Sequence, residues 1–137
     1  MSGDVTSAAH AKWIAAVAAE APSVRMWIYT RSLAWLEHLA PVSTVCGGNL
    51  SVNLSADADN YGEVWREATR WSFRICYMTV DGSVPESLGP GDVIFPDYKF
   101  RKDEAWFQSV PGKLVCPVDY HGKTERIRCG PCRRCMK

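Results

Sequence analysis

Over its first eighty residues the chain alternates short apolar segments with amphipathic ones, and this alternation constrains the fold more than any other feature of the sequence. Ser7 is placed to cap a helix running to Glu20, with Trp13, Ile14, Val17 and Ala18 on one face and Pro22 as its stop. The segment from Val24 to Tyr29 is short, aromatic and β-branched, the composition of a strand. Thr30 to Ser32 then hands the chain to a helix around Leu33 to Leu39, closed by Pro41. From Leu50 to Ser55, Leu50, Val52 and Leu54 alternate with Ser51, Asn53 and Ser55, which predicts a third strand. Ala56 to Asp59 offers acidic capping groups to a helix carrying Tyr61, Val64, Trp65 and Ala68, and Phe73 to Val80 reads as a fourth strand. The first strand of this count is the short Met1 to Gly3 stretch ahead of Asp4. Strands joined by helices in this way need right-handed crossovers, so residues 1–80 are predicted to form a small parallel sheet of βα repeats with helices packed on it, an α/β fold.

From Asp81 the style changes, because Gly82, Pro85, Gly89, Pro90 and Gly91 interrupt the chain and only Val93 to Phe95 and Lys113 to Cys116 suggest further strands. The expectation is one domain over residues 1–137: a βα body over 1–80 and a loop-rich, metal-bound region over 81–137. A composition with 47% apolar and 23% charged residues is ordinary for a globular chain and excludes wholesale disorder, collagen-like and coiled-coil readings. No run of eighteen apolar residues exists and the first residues lack the order of a signal peptide, so the sequence predicts a cytoplasmic protein that does not enter a membrane. Cysteines in that compartment are expected as thiols or metal ligands rather than as disulfides.

Four of the 6 cysteines fall near the end of the chain, as Cys116, Cys129, Cys132 and Cys135, in a segment rich in Gly, Pro and Arg. So little apolar material cannot build a core, and a metal would supply the missing constraint. A Cys₄ zinc site usually draws on two C-x₂-C pairs, whereas Cys116 has no partner two residues away. A C-x₂-C-x₂-C run with a remote Cys followed by Pro, here Cys116-Pro117, is the ligand pattern of bacterial ferredoxin-type clusters, so the spacing favours [4Fe–4S], with Zn as the alternative. Cys76, between Ile75 and Tyr77, is expected as a small buried residue; Cys46, beside Gly47 and Gly48, stands as a candidate further ligand or reactive thiol.

Charge is concentrated at the same end. Residues 121–137 hold six basic side chains against Glu125 alone, about +5, which leaves the rest at about −4 within a formal net charge of +1. Arg126, Arg128, Arg133 and Arg134 either balance thiolate charge or meet an anionic partner, a nucleic acid or an acidic protein surface.

In parallel sheets, functional groups gather where strands end and helices begin. That rule selects Asp4, Thr30, Arg31, Asn53, Ser55 and Asp57 as a candidate rim, with Asp59, Thr79 and Asp81 beside them. Each also has a local reading as a cap or turn residue. His10, His38 and His121 are scattered, no nucleophile is paired with a base, and no Gly-rich phosphate loop follows a strand, so an enzyme ranks last. The tryptophans Trp13, Trp27, Trp35 and Trp65 fall on faces expected to be buried, whereas Trp71 and Trp106 are the ones expected to reach solvent.

The order Ser2-Gly3-Asp4, Trp13 in a helix, Trp27-Ile28-Tyr29-Thr30-Arg31, Asn53-Leu54-Ser55 with Asp57, and the closing Cys116-Pro117, Cys129, Cys132 and Cys135 resembles the phage and actinobacterial gene-product-88-like proteins. The resemblance covers nearly the whole chain and implies a phage-encoded or phage-derived accessory protein, working in the host cytosol, with no particular reaction. Members of that family begin upstream of the Ser-Gly-Asp triplet, so the resemblance implies a shortened member. The βα order is also similar to a piece of the radical SAM barrels, at the level of fold alone. A complete barrel needs about 200 residues or more, and the C-x₃-C-x₂-C motif of those enzymes is absent. The leading expectation is a small metal-cluster protein with a structural, sensing or electron-transfer role; the alternative is a zinc-stabilised module that binds nucleic acid or an acidic partner through its basic tail.

Overall fold

Ser7 caps the first helix as its side chain predicts: in the computed structural model, which describes residues 4–111 and 114–116, its hydroxyl accepts from the His10 N–H at 3.1 Å. Helix α1 spans Ala8–Glu20 and buries Ala11, Ile14 and Ala18. Because these small residues define the packed stripe, Trp13 lies one residue off it and is 54% exposed, against the expectation of a buried ring. The end of α1 is tied down from a distance. The Asn49 amide donates to the carbonyls of Ala18, Ala21 and Val24 at 3.1, 2.8 and 2.8 Å, adding to the N–H groups of Ala21 and Val24 that already bond Ala18 and Ala21.

Strand β1 is Met26–Thr30, followed by helix α2 at Leu36–Leu39, β2 at Leu50–Ala56, helix α3 at Tyr61–Trp71 and β3 at Arg74–Thr79. Beyond the interrupted stretch come β4, Val93–Pro96, and helix α4, Glu104–Ser109. The sheet has the order β1-β2-β3-β4 and every pairing is parallel, so each strand lies beside its predecessor in sequence. Residues 114–116 add a further rung: Ile94 N–H donates to the Leu114 carbonyl at 2.7 Å and Cys116 N–H to the Ile94 carbonyl at 2.9 Å. The βα arrangement thus continues past residue 80 into the segment where the sequence suggested only short strands. Met1 to Gly3, counted as a strand in the sequence, lies outside the described residues.

Strand register sorts the side chains onto two faces. Ile28 pairs with Val52, Thr30 with Leu54 and Leu54 in turn with Ile75, and Ala56 with Tyr77 and Tyr77 in turn with Ile94. This face packs on α1, α2 and α3 to form the main core, and α4 extends it through Trp106, which contacts Ile94, Leu114 and Val115. Trp106, expected in solvent, is only 8% exposed, because its indole N–H donates to the Gly82 carbonyl at 2.7 Å and draws the ring under the 80–92 connection. Trp71 is half-buried against the main core and Phe73, whereas Trp27 and Trp65 join Trp13 at the surface. The opposite face carries Tyr29, Asn53 and Arg74 in one row, Ser55, Cys76 and Val93 in the next, and Met78 and Phe95 beyond them. No described helix packs on it, and this asymmetry defines the site. No helix among the described residues is long and apolar enough to cross a membrane.

Candidate functional site

The carboxyl ends of the strands form a rim, and several side chains selected from the sequence meet there. Asp4 is its most connected member. One carboxylate oxygen, Oδ1, accepts from the Val5 N–H at 2.8 Å, the Thr30 hydroxyl at 2.5 Å, the Arg31 N–H at 3.1 Å and the Ser32 N–H at 3.2 Å. Burial opposes ionisation of this carboxyl, but the hydrogen bond from Thr30 and the three N–H groups together hold its pKa below the ordinary 3.8. Asp4 therefore fastens the entry to α1 onto the end of β1, a tie between residues 26 to 28 positions apart.

Arg31 and Asp57 reach across from β1 to β2. The guanidinium Nη2 donates to Asp57 Oδ2 at 2.7 Å, with the arginine side chain 55% exposed and the aspartate more enclosed. The hydrogen bond from Arg31, aided by its charge, holds the Asp57 carboxyl below its ordinary range. The other Asp57 oxygen accepts from the Asp59 N–H at 3.1 Å, while Asn60 rather than either aspartate sits at the start of α3. Asp57 thus serves as the partner of Arg31 rather than as the helix cap the sequence suggested.

Asn53 does not reach the rim. It is fully buried in the interior of β2, with its amide donating to the Ile28 carbonyl at 3.0 Å, so it cross-links two strands on the helix-free face. Thr79 and Asp81 are taken up by a turn: Thr79 Oγ1 accepts from the Gly82 N–H at 2.9 Å, and Asp81 Oδ1 accepts from the Ser83 N–H and hydroxyl at 2.9 and 2.6 Å. The Ser83 hydroxyl is also the first cause of a lowered Asp81 pKa.

Between the rim and the helix-free face opens a cleft of about 320 Å³ lined by Tyr29, Arg31, Ser55, Ala56, Cys76, Met78 and Phe95. Tyr29 and Phe95 meet edge to face, ring centres 6.1 Å apart and planes at 77°. Arg31 and Ser55 are legible in the sequence as site residues, whereas Tyr29, Met78 and Phe95 are not. Their signal was the alternation itself, since each occupies the strand position opposite a core-facing residue; nothing in the sequence says which face the helices leave uncovered.

Cys116 closes this side of the sheet. It is 7% exposed and packs with Cys76 and Val93, flanked by Tyr29 and Phe95. The bridge between Ile94 and Val115 puts Cys116 next to Phe95 on the face that carries the cleft. Cys76 is buried as expected. Cys46 is exposed in a 3₁₀ turn ahead of β2, at the amino ends of the strands. A seven-residue strand at about 3.3 Å per residue puts roughly 20 Å between the two ends of the sheet, too far for Cys46 to share a metal with Cys116. Among the described residues no three Cys, His, Asp or Glu side chains cluster as a metal site. Cys129, Cys132 and Cys135, with Arg126, Arg128, Arg133 and Arg134, lie outside the described residues.

The sequence model of one family, gene product 88, matches residues 1–137. No curated protein and no solved structure matches the chain.

Proposed function

The chain belongs to the gene product 88 family, and from that premise we propose that it is a small metal-binding accessory protein whose Cys116, Cys129, Cys132 and Cys135 hold a [4Fe–4S] cluster. The observation that carries this reading is the position of Cys116. Two backbone hydrogen bonds to Ile94, at 2.7 and 2.9 Å, hold Leu114 to Cys116 against β4, and the Cys116 side chain packs with Cys76, Val93 and Phe95. A thiolate in such surroundings needs a cation to compensate it, and a rigidly held first ligand lowers the entropy lost when the others close around the metal. The contribution of Cys129, Cys132 and Cys135 rests on their C-x₂-C-x₂-C spacing.

A bound cluster would supply one-electron redox chemistry or a rigid cross-link, which suits a structural, sensing or electron-transfer role. The residues of the chain do the rest: Cys116 anchors the site to β4, and Arg126, Arg128, Arg133 and Arg134 offset the negative charge of four thiolates and offer a basic surface to a nucleic acid or an acidic protein. Iron, sulfide and zinc assayed after anaerobic purification, with a visible spectrum, test the reading. Expected are iron and sulfide in near-equal amounts, broad charge-transfer absorption, and loss of both in Cys132→Ser but not in Cys46→Ser. Stoichiometric zinc without iron or sulfide would transfer the proposal to a zinc-stabilised binding module. Full metal retention by Cys132→Ser would remove the site.

A further inference from the structure

We infer that the cleft at the carboxyl ends of β1, β2, β3 and β4 is a binding site for a small aromatic oxyanion, a carboxylate or a phosphomonoester on a single flat ring. This goes beyond the metal reading and rests on residues that would not ligate the metal. At about 320 Å³ the cleft lies at the small end of the range for ligand pockets, and its position outside the carboxyl ends of parallel strands is where such sheets take ligands.

The polar groups in the cleft are few and converge. The Arg31 guanidinium spends one N–H on Asp57 and makes no other hydrogen bond among the described residues, so the rest of its donors face the mouth. Asp57 fixes the direction of that fork, which lowers the entropy lost when a second acceptor docks. The hydroxyl of Ser55, half-buried in the wall of the same cleft, makes no hydrogen bond among the described residues. Both groups therefore look for acceptors, and a guanidinium is geometrically matched to a planar carboxylate or a phosphate. The remaining wall is apolar. Phe95 stands edge to face with Tyr29 in that wall, and Met78, 56% exposed, presents a polarizable thioether along the same side. A flat ring against these side chains would place a substituent within reach of Arg31 and Ser55.

The test titrates the full-length protein with 4-methylbenzoate, 4-methylphenyl phosphate and the uncharged 4-methylbenzyl alcohol, followed by ligand-detected NMR and calorimetry. Expected is saturable binding of at least one oxyanion, at least tenfold tighter than the alcohol. Tighter binding of the benzoate would assign the carboxylate source, and tighter binding of the phosphate the phosphomonoester. Arg31→Lys should weaken the oxyanion about tenfold, the size of one charge-assisted hydrogen bond. Met78→Trp, at an exposed position, should fill the cleft and abolish binding without lowering Tm. No saturable binding of any probe at millimolar concentration, equal affinity for the alcohol, or unchanged binding by Met78→Trp would overturn the assignment. Metal content is measured on the same preparation. A metal-free protein that still binds the oxyanion would leave the cleft standing and remove the cluster, and a metal-loaded protein that binds no probe would do the reverse.

Discussion

Replacing Asp4 by Asn tests whether the rim is held together by one carboxylate. In the native protein Asp4 Oδ1 accepts four hydrogen bonds, from Val5, Thr30, Arg31 and Ser32, at 2.8, 2.5, 3.1 and 3.2 Å. An Asn oxygen can occupy the same place without charge, so the loss is the difference between charged and neutral acceptors. That difference is up to about 1 kcal/mol for a well-enclosed bond and less at an exposed residue such as Asp4, which gives about 1–2 kcal/mol in all. For a chain of this length the corresponding fall in Tm is about 3–8 °C. Asp4→Ala should cost about 1 kcal/mol more, because the Thr30 hydroxyl, 2% exposed, still accepts from the Ser32 N–H at 3.0 Å but is left to donate only across a long contact to the Ser32 carbonyl at 3.5 Å. Urea titrations followed by tryptophan fluorescence measure both variants. The pH dependence supplies the decisive sign. The folded pKa of Asp4 lies below its ordinary value of 3.8, so its stabilisation is present above that value and disappears as pH falls through the lowered one. The deficit of Asp4→Asn should therefore be full at pH 7 and vanish in strong acid. Equal stability at pH 7, or a deficit that does not change with pH, would refute the argument that the charge of Asp4 does the fastening.

Two glycines should respond in opposite directions. A Cβ on Gly48 would collide with the Val42 carbonyl, so Gly48→Ala should cost about 3 kcal/mol or more, whereas Gly62, in the first turn of α3 with open space where a Cβ would stand, should gain about 0.5–1 kcal/mol on the same change; thermal unfolding reads both. Asn53→Ala should destabilise by about 2 kcal/mol in urea, since it removes a fully buried amide and its bond to Ile28 on the adjoining strand. Arg133→Gln with Arg134→Gln should leave metal content intact while flattening the salt dependence of nucleic acid binding by close to one unit of slope per lost phosphate contact; wild-type protein that binds no nucleic acid at low salt would restrict these arginines to charge balance.

The repeat of apolar and amphipathic segments was enough to predict a parallel α/β sheet, and Ser7 was legible as a cap because a capping hydroxyl acts within three residues of itself. Cys76 was legible as buried from its apolar neighbours in a strand. The tryptophans were harder. Trp13 and Trp65 are large and apolar, yet their helices pack through small residues such as Ala11, Ala18 and Ala68, which bring the backbones close and leave bulky rings outside the contact, whereas Trp27 alternates to the face of β1 that no described helix covers. Trp106 is buried for a reason no local pattern contains, a hydrogen bond to Gly82, 24 residues earlier in the chain.

Sequence by itself determined the strands and helices between Ser7 and Val80, and that Arg31 and Asp57 follow strand ends, because these depend on neighbours a few residues apart; helix α4 had no such local signal. Tertiary structure alone decided that Asp4 clamps Thr30, that Asp57 pairs with Arg31, that Asn53 is sealed between strands, and that Cys116 lies beside Cys76. It also decided which face of the sheet the helices cover, and so which alternating side chains, Tyr29, Met78 and Phe95 among them, line a cleft rather than a core. The physical reason is register: a strand's alternation marks two faces equally, and only the handed path of the crossovers chooses the one that is packed.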